Sequence, residues 1–295
     1  MYIFKIMRCI FCGQDSSQSK SVEHIIPESF GNSTAILPKG IVCDKCNNYF
    51  ARKVEGPFLN SEAVRNLRQE LEIENKEGKT ITSFAYPRTD KDFILQVDET
   101  HYIVGGQAVK NKYDCHSAVA RYQHYMDKTD SLLLVQDIYT SRLLAKIALE
   151  SFVLKAECHP EVCSEVLENA DFQPLRMYAR YGSRKIWPYS VRRIYPRNAD
   201  YQDDIFSHIN WEHIFLFLGT GEIYSVIAMH GIEYVINLGG PEIDGYKEWL
   251  HANNNKSPLY LTNDEYRELV HLYKEKVHEI MKEQEQQKEK KSNDE

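Results

Sequence analysis

Residues 9–47 read CIFCGQDSSQSKSVEHIIPESFGNSTAILPKGIVCDKCN. Two Cys-x-x-Cys pairs, Cys9/Cys12 and Cys43/Cys46, bracket a loop of about thirty residues. Each pair pre-orients two thiolates, and two such knuckles can set four of them tetrahedrally around one zinc. With all four positions filled, nothing is left open for substrate, so the expected zinc is structural. The first fifty or so residues hold little apolar core, and metal binding there contributes directly to folding. Paired Cys-x-x-Cys spacing in a chain of this size favours metal over disulfides.

The loop that the metal closes contains Ser21–Glu28, SVEHIIPE. It sets the Glu23 carboxylate beside the His24 imidazole in an apolar run that stops at Pro27. Adjacent strand residues face opposite sides, so one shared site requires a departure from regular pleating. Val22, Ile25 and Ile26 are expected to pack the strand on a helix. That helix is expected to start at the second knuckle with Asn47-Asn48-Tyr49-Phe50.

In their order and spacing, Cys9, Cys12, Glu23, His24, Ile25, Pro27, Gly31, Cys43, Cys46 and Asn47 resemble the HNH endonucleases. The match is to the zinc-knuckle variety of the ββα-metal fold, over residues 8 to about 56. The resemblance implies Glu23 as a metal-binding acid, His24 as general base and Asn47 as the final metal ligand, with Asn48 as a substitute. It also implies a structural zinc, a catalytic Mg²⁺ or Mn²⁺, DNA as substrate and a prokaryotic setting such as defence against foreign DNA. A carboxylate and an amide oxygen form a hard ligand set that suits Mg²⁺. A neutral imidazole near pH 7 can take a proton from water. The middle asparagine of the family pattern is missing from Leu37–Val42, and Asn32 stands closer to His24 than that pattern has it. Lys39, Lys45, Arg52 and Lys53 are the candidate phosphate contacts, with Arg8 and Lys20. Two rival readings are a zinc module that binds nucleic acid or protein without cutting, and a nuclease acting on RNA.

The whole chain has 295 residues, of which 42% are hydrophobic and 27% charged, and a formal net charge of −7. That sign excludes a protein that coats polyanions through its overall field. No apolar run is long enough to span a bilayer, and a cytoplasmic protein is expected. The expected architecture is α+β: a zinc-stabilised ββα-metal domain at 1–58, a helical linker at 59–80, an α+β domain at 81–284 with an antiparallel meander, and a charged, disordered tail at 285–295. The second domain is expected to recognise the target, oligomerise or answer to a regulatory partner or ligand. Helices are expected at 61–75, 117–128, 140–157, 160–170, 243–251 and 262–284. Strands are expected at 82–87, 92–97, 101–106, 131–139 and 184–196, with three more in 213–240. Arg142, Lys146 and Glu150 read as an i,i+4 charge ladder on a helix. Cys115, Cys158 and Cys163 match no metal spacing and read as buried, inert thiols.

Overall fold

The computed structural model describes residues 7–71, 73–74, 78–79, 129–195, 211–262, 264–275, 278–279 and 282, together with the backbone of four strands between 83 and 108. The chain divides into two compact units. One comprises 1–167 with 179–186, and the other 168–178 with 187–295. The expected nuclease segment, 1–58, lies within the first. Both units mix helices with antiparallel sheets, as the α+β reading expects.

In the first unit, β1 (Glu23–His24) pairs antiparallel with β2 (Ile36–Leu37), Glu23 facing Leu37 and His24 facing Ile36. Two residues per strand cannot stand alone. Their support is the helix that follows. Helix α1 (Asp44–Phe50) starts where the Cys43 sulfur accepts the Cys46 N–H at 3.4 Å. It runs on through a π-helical turn (Ala51–Glu55) into α2 (Gly56–Leu59). Cys46, Phe50, Val54 and Phe58 recur every fourth residue and are all buried. A strict four-residue repeat drifts around an α-helix of 3.6 residues per turn, and the wider π turn reduces the drift. Phe50 meets Phe11 edge-on at 4.5 Å, and Phe58 meets Phe30 at 5.2 Å. Val22, expected in this packing, is instead 42% exposed. It precedes β1 and sits on the outer side.

Helix α3 (Glu62–Glu70) follows, then the sheet β3 (Ser83–Ala85), β4 (Phe93–Asp98), β5 (His101–Val104) and β6 (Gln107–Ala108), antiparallel in chain order. The expected helix at 117–128 lies outside the described residues, as do Cys115 and the tail. The expected strand at 131–139 is not formed. Residues 129–133 are helical, and Leu132, Leu134 and Val135 are exposed. A short apolar run has no period that separates strand from helix. The second half of that run is a cap: Asp137 accepts the N–H groups of Tyr139 and Thr140 at 2.8 and 3.0 Å. This begins α4 (Ile138–Lys155), which is buried at every residue from Thr140 to Ser151. Helix α5 (Pro160–Glu168) follows, and α6 (Gln173–Tyr181) runs from residues of the second unit into 179–186 of the first. No element was expected at α6, although Pro174 near its start and the buried Leu175, Tyr178 and Ala179 fit a helix.

The second unit is a four-stranded antiparallel sheet in the order β7 (Tyr189–Arg193), β10 (Ile232–Asn237), β9 (Ile223–Met229), β8 (Trp211–Phe217). Strands β8 to β10 form the expected meander. Its first turn, Gly219-Thr220-Gly221, closes with Gly221 N–H donating to Leu218 C=O at 2.9 Å. Helix α7 (Asp244–Ala252) packs Tyr246 into a core with Leu216, Leu218, Tyr224, Val226, Val235 and Ile243.

Central strand β10 carries a carboxylate, Glu233, with no exposure. It accepts from Tyr246 Oη at 2.6 Å, from Arg192 Nε and from Ser257 Oγ. Removing it strands a partly buried guanidinium and two hydroxyls. Glu233→Ala is expected to cost about 3–5 kcal/mol in denaturant unfolding, the usual loss when one member of a buried pair is deleted.

Candidate active site

Cys9, Cys12, Cys43 and Cys46 converge. Their sulfurs all lie within 4.8 Å of one another, and those of Cys12 and Cys43 are 3.7 Å apart. Thiolates about 2.3 Å from a zinc sit about 3.8 Å from each other, so the cluster suggests a structural zinc. Without a cation the thiols cannot ionise together. A hydrogen bond from Cys46 holds Cys9 down at about 5, whereas burial pushes Cys43 up to about 11. Cys46 is raised too, first by its hydrogen bond to Cys9 and then by burial. Arg180 donates to the Cys46 sulfur at 3.1 Å, and its guanidinium stacks 3.7 Å above the Tyr49 ring. A dication among four thiolates leaves a net charge of −2, which the Arg180 cation partly offsets.

The knuckles bring α1 against the strand carrying Glu23 and His24. Asn47, on the first turn of α1, donates its amide N–H to the Val22 carbonyl at 2.9 Å. Its Nδ2 is thereby tied to the residue before β1, and its amide oxygen is the atom that could serve a metal. Asn48 is exposed. His24 is half-buried, and its Nδ1 is a buried atom with no hydrogen-bond partner. The 25–35 loop returns the chain to β2 through a 3₁₀ turn (Glu28–Phe30) that ends on Gly31 at φ +93°, where a side chain would be strained.

Asn32 holds this loop. It is 1% exposed and makes four hydrogen bonds. Its Nδ2 donates to the carbonyls of Ile26 at 2.9 Å and Ala35 at 3.0 Å, and its Oδ1 accepts from the N–H groups of Thr34 and Ala35. Asn32 thus braces the 25–35 loop, at a position nearer to His24 in sequence than the Leu37–Val42 segment, which holds no asparagine. A loop that turns sharply at Gly31 needs its brace inside the turn.

Glu23 points inward and is 5% exposed. Its Oε1 meets the Lys146 ammonium at 2.7 Å, and its Oε2 is buried without a partner. Lys146 projects from the middle of α4 with no exposure. It also lies 3.1 Å from Glu55 and 3.0 Å from Glu150, and donates to the His24 and Ile25 carbonyls at 2.8 and 3.2 Å. Burial alone pulls the ammonium down, but Glu150, Glu23 and Glu55 more than reverse this, and it stays charged. Burial raises Glu23 and, further, Glu150. The expected i,i+4 pair of Lys146 and Glu150 exists, but it is enclosed. Arg142, one turn earlier, donates to Tyr49 Oη at 2.9 Å and to the Ala179 carbonyl at 3.0 Å.

Sequence reasoning missed Lys146 and Glu55 as neighbours of Glu23. The signal was the composition of α4. Residues 143–145 and 147–149 are all apolar, so its charges had no water-facing side. Lys39, Lys45, Arg52 and Lys53 are exposed. Cys158 and Cys163 are half-buried, with both thiols raised by burial. Among the described residues, the four knuckle cysteines are the one cluster of three or more His, Cys, Asp or Glu side chains that could hold a metal. Also among the described residues, no helix is long and apolar enough to cross a membrane.

A family model described as HNH endonuclease matches residues 9–62, a span that runs from the first knuckle into α3. No curated protein and no solved structure matches the chain.

Two outcomes follow from this geometry. Metal analysis of the purified chain is expected to find about one tightly held zinc, and stripping it with a strong chelator should abolish the helicity that starts at Cys43. Asn32→Ala leaves two carbonyls and two N–H groups of a buried loop short of a partner. It is expected to lower unfolding free energy by about 2–3 kcal/mol, read by denaturant titration of the zinc-loaded protein.

Proposed function

We propose that the first unit is a metal-dependent endonuclease of the HNH type that hydrolyses phosphodiester bonds in DNA. The observation that carries this reading is the Asn47–Val22 hydrogen bond. It ties the Asn47 side chain to the residue just before the strand bearing Glu23 and His24, within the segment that the family model matches. The donors fit a hard divalent ion: one amide oxygen, and one buried carboxylate oxygen that has no other partner. Mg²⁺ or Mn²⁺ held by Glu23 and Asn47 would stabilise charge on the phosphate and on the departing 3′ oxygen.

The remaining work falls to the chain. His24 takes the proton from a water whose oxygen bonds to phosphorus as the bond to the 3′ oxygen breaks. Asn32 fixes the loop after His24, so the imidazole is held rather than searched for. The exposed Lys39, Lys45, Arg52 and Lys53 contact phosphates on either side of the cut. The second unit recognises the target or restrains the nuclease, in a cytoplasmic, prokaryotic role such as defence against foreign DNA. Its net acidity favours a partner or ligand over a second nucleic-acid surface.

The rival reading, a zinc module that binds without cutting, has one specific observation behind it. The Lys146 ammonium already occupies one oxygen of Glu23. The two are separated by a supercoiled-plasmid assay with Mg²⁺ or Mn²⁺. Wild type is expected to relax or linearise the plasmid, with His24→Ala slower by at least about 100-fold. Equal cleavage by both proteins would remove His24 as base. Binding without cleavage by wild type would establish the rival. Structured RNA digested alongside tests the choice of substrate.

A further inference from the structure

We propose that Lys146 is a positioning residue of the nuclease centre, which makes α4 part of that centre. The proposal rests on the nuclease reading above. Three of the five oxygens around the ammonium belong to consecutive residues of the catalytic strand: Glu23 Oε1 at 2.7 Å, the His24 carbonyl at 2.8 Å and the Ile25 carbonyl at 3.2 Å. One cation thus grips the residue before the base, the base itself and the residue after it. Glu55, from the π-helical turn beyond α1, and Glu150, from α4, hold the cation in turn. The helix bearing Asn47 and the strand bearing His24 are therefore tied to the same point.

This contact is a fixture and not a gate. Lys146 has no exposure, is wrapped by three carboxylates and lies 5.9 Å from the Phe50 ring in the core. Withdrawing it would leave those carboxylates unbalanced in the core. The ion pair through Oε1 fixes the orientation of the Glu23 carboxylate, and Oε2, the buried oxygen without another partner, is the atom that would meet a divalent ion.

Lys146→Met by itself would bury unbalanced carboxylates and could fail to fold. The test therefore uses Lys146→Met/Glu150→Gln, which removes one positive and one negative charge together and keeps the net charge of the cluster. Arg142→Gln is the control. It loosens the same helix at Tyr49 but leaves the Lys146 contacts in place. Zinc content and thermal unfolding are measured for each full-length protein. Mn²⁺ binding is read by the loss of the free-ion electron paramagnetic resonance signal, in a His24→Ala background. Plasmid cleavage is read in the His24 background.

The double variant is expected to keep its zinc and to bind Mn²⁺ within about threefold of wild type. Its kcat should fall about a hundredfold, the usual consequence of a misplaced catalytic group, with little change in KM. Arg142→Gln should retain most of kcat. A double variant whose kcat stays within about threefold of wild type would overturn the proposal. So would an equal loss in Arg142→Gln, or a loss that only follows missing zinc and lowered folded fraction. Absence of cleavage by wild type would overturn the nuclease reading itself. Active wild type with an unimpaired double variant overturns the Lys146 assignment alone.

Discussion

The convergence of four thiols on one point is the constraint from which the rest of the candidate site is derived. Neither β1 nor β2 has more than two residues, and the first turn of α1 is capped by a cysteine sulfur rather than an oxygen. Such pieces do not hold each other by backbone pairing alone. Drawing Cys9 and Cys12 to Cys43 and Cys46 fixes the start of α1. Fixing α1 sets Asn47 against Val22 and sends Phe50, Val54 and Phe58 into the core. Each later contact, including those from α4, is made to a surface that this closure creates.

How much of this could be read from the sequence depended on the kind of signal. The knuckles, the Glu23-His24 pair and Asn47 are local patterns with fixed spacing, and the family match at 9–62 covers the same segment. The meander at 211–237 was legible because glycine turns separate its apolar runs. Failures came where one pattern serves two structures. The Leu132–Val135 run carries no period, and its fate was decided by the Asp137 cap that follows it. Spacing alone does not point to Asn32, because its bracing of the loop depends on a left-handed turn at Gly31, which a count of residues does not show.

Lys146 is the more instructive miss. As a letter in a ladder with Arg142 and Glu150 it suggested a solvated helix face. The ladder is real, but ladders in water and ladders in a core obey different rules. An exposed pair of this kind contributes a few tenths of a kcal/mol. Enclosed, each charge must find an opposite charge or several hydrogen bonds, or it loses its ionisation. Because α4 is enclosed around Arg142, Lys146 and Glu150, its three buried charges are bound to seek partners within the first unit. They find Glu23 and Glu55, the Tyr49 hydroxyl and the carbonyls of His24, Ile25 and Ala179.

That requirement also bears on whether the segment that matches the family model could stand on its own. Residues 9–62 carry the family pattern, but within the structure two of their carboxylates, Glu23 and Glu55, share a cation supplied from residue 146. Cut at the end of the pattern, the segment would keep its thiols and its aromatic core and lose the positive charge beside the strand that bears Glu23 and His24. The Glu23 carboxylate would then face Glu55 with no cation between them, and like charges at short range push apart or take up a proton. Either response disturbs the strand that presents His24. The compact unit that holds residues 9–62 accordingly extends past the end of the motif, through α4 to residue 167, and takes in 179–186 as well.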